Sequence, residues 1–83
     1  MRTKIRRLIL LSLHACAGMP MPETALISAV DIGLPGGATR SDVMDGVRDL
    51  DAEGYLVSVP DDGISGRQWG LSAAGEMKVR QIR

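Results

Sequence analysis

Apolar residues recur at helical spacing near the start of the chain, where Ile5, Leu8, Ile9, Ser12 and Cys16 fall on one stripe that Leu11, Leu13 and Ala15 widen. The pattern predicts a first helix from about Lys4 to Ala17, stopped by Gly18 with Pro20 and Pro22 just beyond. Arg6, Arg7 and His14 mark its opposite side, and Leu10 falls among them. Leu10 is therefore expected to be exposed and is a candidate subunit contact. Pro22 suits the first turn of a second helix, Glu23 favours the positive end of its dipole, and Ala25, Leu26, Ala29 and Val30 repeat at helical spacing. That helix is expected to end near Ile32, with Gly33 as a left-handed cap and Leu34 packing back. After the breaker LPGGA, Thr39 and Asp42 make a capping box that opens a third helix. Val43, Val47 and Leu50 form its core stripe, Met44 lies at the edge, and Gly54 ends it.

The period then changes from 3.6 to 2. YLVSV, Tyr55 to Val59, alternates and is rich in strand formers, Pro60 to Gly66 is a loop, and RQWGL, Arg67 to Leu71, is a second short strand. Ser72 is expected to cap a last short helix whose Met77 and Ile82 face inward. Neither an internal repeat nor a linker-like segment divides the chain, so residues 1–83 are read as a single domain. The expected class is mainly α with a small β-hairpin: a three-helix core, two strands and a short C-terminal helix.

Composition narrows the chemistry. At 83 residues the chain builds one core and has no room for a separate catalytic domain, and 45% hydrophobic with 24% charged residues is globular composition. Trp69 and Tyr55 are the only aromatics, so aliphatic side chains must fill the interior. Cys16 is the single cysteine, which excludes an intramolecular disulfide and suits a reduced, cytoplasmic setting. It is expected to be a buried small apolar residue. His14 and Cys16 find no further His or Cys to complete a metal site. MRTKIRRLILLSLHACAG has the outline of a signal peptide, but Ser12 and His14 interrupt the apolar run. Leu8 to Ala17 is also too short to span a bilayer, so a cytoplasmic helix is expected and no membrane partner. No nucleophile and base can be paired, and GLPGGATR follows a helix and lacks a phosphate-loop lysine, so neither an enzyme nor a cofactor is expected.

Two stretches carry a family resemblance. TRSDVMDGVRDLDAEGYLVSV resembles the recognition helix and first wing strand of winged helix-turn-helix proteins, and WGLSAAG resembles their closing strand. Together they span Thr39 to Gly75, roughly half of the chain, and the resemblance is closest to small regulators of the multiple-antibiotic-resistance or phenolic-acid-repressor type. It implies a cytoplasmic bacterial or phage-type transcription regulator that binds double-stranded DNA as a homodimer, for which Leu10 and the terminal helices are the candidate contacts. Arg40, Ser41 and Arg48 would then contact the major groove, Thr39 would cap the helix and contact phosphate, and Arg67 would reach the backbone from the wing.

Charge works against the simplest version of this reading. The chain is formally neutral, and from Ser41 to Asp62 seven acids face Arg48 alone. Asp61 and Asp62 would put negative charge at the wing tip. Arg2, Lys4, Arg6 and Arg7 lie at one end of the chain, and Arg67, Lys78, Arg80 and Arg83 towards the other. If the termini meet, these form one basic region. The alternative function is therefore a winged-helix protein-interaction module whose acidic third helix binds a basic partner and which does not bind DNA by itself.

Overall fold

The structure is a computed structural model and describes residues 2–16, 19–60 and 66–82. Helix α1 (Arg2–Ala15) packs against three other helices and a strand, so its apolar surface extends beyond one stripe. Ile5, Ile9 and Leu13 succeed one another at every fourth residue and are buried. Leu10 is buried as well, at 3% exposure, which corrects the expectation that it lies on the surface. The C-terminal helix covers that side of α1, so Leu10 joins the core and is not an exposed subunit contact. Cys16, expected to be buried, is half-exposed in the turn that follows α1.

Strand β1 (Met21–Pro22) precedes helix α2 (Glu23–Gly33), so Pro22 is the N-cap and not the first helical residue. Leu26 and Val30 are fully buried. The helix does not end in a left-handed Gly33: Leu34 is the cap in extended conformation, and the positive φ values fall at Gly36 and Gly37, 86° and 78°. The turn is closed by the Gly37 N–H donating to the Leu34 carbonyl at 2.8 Å and the Ala38 N–H to Asp31 Oδ1 at 2.9 Å.

Helix α3 (Arg40–Ala52) opens with the reciprocal capping box: Thr39 Oγ1 accepts from the Asp42 N–H and Asp42 Oδ2 accepts from the Thr39 N–H. Val43, Val47 and Leu50 bury its inner face, and Gly46 lets α1 approach, since a Cβ there would stand 2.9 Å from Ile9 Cδ1. The helix stops in a Schellman arrangement. Gly54 takes φ 84°, its N–H donates to the Asp51 carbonyl at 3.0 Å, and the Tyr55 N–H donates to the Leu50 carbonyl at 3.0 Å.

Strands β2 (Leu56–Val59) and β3 (Gln68–Leu71) pair antiparallel, with Leu56 opposite Leu71 and Ser58 opposite Trp69. Met21 also pairs with Trp69, so the expected two-stranded hairpin is in fact part of a three-stranded sheet of order β1-β3-β2. Pro22 sits on an edge strand, where its missing N–H costs no ladder bond. Trp69 is buried and closes the sheet onto the helices. The residues between the two long strands, 61–65, which include Asp61 and Asp62, lie outside the described set.

Helix α4 (Ala73–Ile82) starts at Ser72, whose Oγ accepts from the Gly75 N–H at 3.0 Å and donates to the Gly54 carbonyl at 2.6 Å. The Ser72 N–H donates to the Tyr55 carbonyl at 3.0 Å. Gly75 rests on that same Tyr55 carbonyl, leaving no room for a Cβ. Val79 and Ile82 face the core, whereas Met77, expected inside, is 61% exposed. Its place on the wheel is two residues from Val79, on the far side of the helix.

Gly75→Ala is expected to destabilise the protein by roughly 2–3 kcal/mol, although alanine is the better helix former by about 1 kcal/mol, because its methyl overlaps a backbone carbonyl. Ser72→Ala should cost about 1–2 kcal/mol through the lost cap. Urea unfolding measures both, and a neutral or stabilising Gly75→Ala would contradict the packing described.

Candidate nucleic-acid interface

The residues expected to meet DNA sit at two places on one surface. Arg40 begins α3 with its side chain 67% exposed, and its Nη2 lies 3.6 Å from Glu23 Oε2. The other oxygen of Glu23, Oε1, accepts a hydrogen bond from the Trp69 indole N–H at 3.2 Å. The Arg67 guanidinium stands over that indole, 5.8 Å from the ring centroid, and the Arg67 carbonyl accepts from the Glu23 N–H at 3.1 Å. Arg40 and Arg67, 27 positions apart in sequence, are thus each brought to one member of a hydrogen-bonded Glu23–Trp69 pair.

Ser41 is exposed next to Arg40, and Arg48 lies about 12 Å farther along the helix axis. Arg48 is 75% exposed, with Nη1 3.5 Å from Asp45 Oδ1. Thr39 is occupied by the capping box. Both α3 arginines therefore have a carboxylate neighbour. These contacts are long and solvent-facing, worth about 0–1 kcal/mol each, so a phosphate or base edge can displace them.

Charge is sorted along α3. From Arg40 to Arg48 it sets two arginines against Asp42 and Asp45, and Asp42 is committed to the cap. Its C-terminal end bears Asp49, Asp51 and Glu53, of which Glu53 pairs with Arg6 of α1. The basic ends of the chain do converge: Arg7 of α1 and Lys78 of α4 line one open cleft of about 460 Å³, floored by Leu10, Leu50, Tyr55 and Ile82. Arg83 and the side chain of Arg2, the outermost members of the expected basic region, lie outside the described set.

Sequence reasoning placed Arg40, Ser41, Arg48 and Arg67 on the surface but missed Glu23 as the residue between them. Glu23 had one visible role, a negative charge at a helix start. Its second role depends on Trp69, 46 positions away, and no local signal reports it. Elsewhere, His14 Nδ1 approaches Glu76 Oε2 at 3.2 Å on the α1–α4 side. Among the described residues, no group of three or more His, Cys, Asp or Glu side chains could hold a metal ion, and no helix is long and apolar enough to cross a membrane.

No family model matches the sequence, and neither the curated proteins nor the solved structures provide a match.

Replacing Glu23 separates its two contacts. Glu23→Gln keeps an acceptor for the indole and should stay within about 0.5 kcal/mol of the parent, because only a surface ion pair is lost. Glu23→Leu leaves the Trp69 N–H without its acceptor and should cost about 1–2 kcal/mol. Urea unfolding followed by Trp69 fluorescence distinguishes them, and equal losses would assign the stabilisation to Arg40 instead.

Proposed function

We propose that the chain is a winged-helix module that binds double-stranded DNA and acts, without enzymatic activity, as a cytoplasmic transcription regulator of bacterial or phage type. The observation that carries this reading is the order helix, strand, helix, helix, strand, strand, helix with a β1-β3-β2 sheet. That order leaves the first turn of α3, Arg40 to Asp42, exposed and sets the base of the β2–β3 hairpin beside it. A helix presented in this way fits the major groove end first, while the hairpin flanks it along the backbone. Arg40, Ser41 and Arg48 take the groove contacts, Arg67 takes a phosphate, and Thr39 holds the helix start in place. Glu23 acts as a placeholder for the phosphate charge, keeping Arg40 extended towards the hairpin in the absence of DNA.

One observation favours a second reading. The exposed acids on and after α3, Asp51 and Glu53 among them, repel a phosphate backbone, and a formally neutral chain gains little generic attraction to it. A winged-helix interaction module using that acidic end for a basic protein partner is the competing function.

Electrophoretic shift with duplex DNA at low and moderate salt separates the two. DNA binding that weakens steeply with salt supports the first reading. Arg40→Ala combined with Arg48→Ala should weaken it by at least about thirtyfold, each contact contributing about 1–3 kcal/mol. Duplex binding unchanged in the double variant overturns the assignment of α3 to the groove, and a parent chain that binds no duplex even at low salt moves the function to the protein partner.

A further inference from the structure

Every charged residue that lines the cleft between α1, α4 and the end of α3 is a cation: Arg6, Arg7 and Lys78. Arg6 is paired with Glu53, whereas among the described residues Arg7 and Lys78 have no carboxylate partner. Arg7 is exposed, and Lys78, half-buried, holds its ammonium 6.0 Å from the centroid of the Tyr55 ring. Positive charge is thus kept beside apolar surface. The floor itself offers little of that surface, because Leu10 and Leu50 are only 3% and 1% exposed. More lies in a second depression of about 200 Å³, which shares Tyr55 and Lys78 with the cleft and is edged by Met77, 61% exposed. Among the described residues no acid lines either hollow.

We propose that this double hollow is the docking site for a segment of another protein in which two apolar side chains are flanked by carboxylates. Charge decides the sign of the partner: two unpaired cations beside apolar surface attract an acidic segment and repel a basic one. Shape decides its kind. A small organic acid needs a pocket that buries most of its surface, whereas this cleft is open and its deepest leucines are already covered. A chain segment draws on both hollows, with one apolar side chain in the cleft beside Ile82 and the next against Met77, as an amphipathic segment fills a groove. The same charge disfavours a second copy of this chain, since a face of one sign repels itself. The site lies at the opposite end of α3 from Arg40 and Ser41. Its partner is an acidic protein, so the proposal goes beyond the DNA-binding reading and beyond the reading in which the acidic end of α3 meets a basic partner.

A synthetic, N-acetylated peptide of glutamate and alanine with two leucines one helical turn apart, titrated into the isotope-labelled full chain and followed by NMR, tests the site. The amides of Arg7, Tyr55, Lys78 and Ile82 should shift while those of Ser41 and Arg48 stay still, and added salt should weaken the binding. Replacing the glutamates of the peptide by lysine, or its leucines by serine, should each weaken it by at least about tenfold. Arg7→Glu with Lys78→Glu should reverse the preference, so that the lysine peptide binds the tighter. If circular dichroism shows that pair unfolded, Arg7→Ser alone replaces it, with about a threefold loss for the acidic peptide. Acidic and basic peptides that bind the parent chain alike, shifts that fall elsewhere on the surface, or no binding of the acidic peptide up to millimolar concentration overturns the proposal. Shifts at the same amides caused by sodium octanoate and not by the peptide overturn it in favour of a small-molecule site, and shifts caused by raising the concentration of the chain alone overturn it in favour of a second copy.

Discussion

The backbone carbonyls of Gly54 and Tyr55 are the point at which the end of α3, the start of β2, the end of β3 and the start of α4 converge. Ser72 binds both, donating its hydroxyl to Gly54 and its N–H to Tyr55, while its oxygen caps α4 through the Gly75 N–H. Gly75 then lies against the Tyr55 carbonyl, where a side chain has no room. Much else follows from this junction. It sets Leu56 opposite Leu71, and the two-residue period of the sheet carries that register on to Trp69 and Gln68. It also sends α4 across α1, which buries Leu10 and forms the cleft.

The same register delivers Trp69 to Glu23. Because β3 pairs with β1 as well as with β2, the indole N–H lies within reach of a carboxylate at the start of α2, and Arg67 is carried with it. One oxygen of Glu23 is held by a partly buried hydrogen bond and the other faces Arg40 across a longer, exposed gap. The inner contact is structural. The outer one is weak enough to be exchanged for another anion.

Much of the secondary structure was legible in short stretches. Thr39 and Asp42 announced the start of α3, Gly54 its end and Ser72 the start of α4, because caps and left-handed turns are satisfied by residues within a few positions of one another. Val43, Val47 and Leu50 were legible as core because one helix face is a repeating pattern. Met21 and Pro22 were not legible as a strand, since two residues have no period to detect. Leu10 was misplaced because a helical wheel gives directions around an axis and says nothing of which directions a later segment covers. Met77 failed in reverse: its direction was assigned inward, and no element lies there. Of the candidate interface, the arginines were visible and Glu23 was not.

The chain by itself determined the order of its four helices and two longer strands, the caps of α3 and the start of α4, the core stripe of α3 and the charge carried by each segment, because these depend on residues no more than about one turn apart. Tertiary structure decided which of those charges are neighbours. Arg40 and Arg67 meet around Glu23, Arg6 meets Glu53, and Arg7 stands across a cleft from Lys78. Each of these placements spans tens of residues, and the physical reason is common to all: sheet register and helix crossing set the distances between side chains, and both are fixed only when the whole core closes.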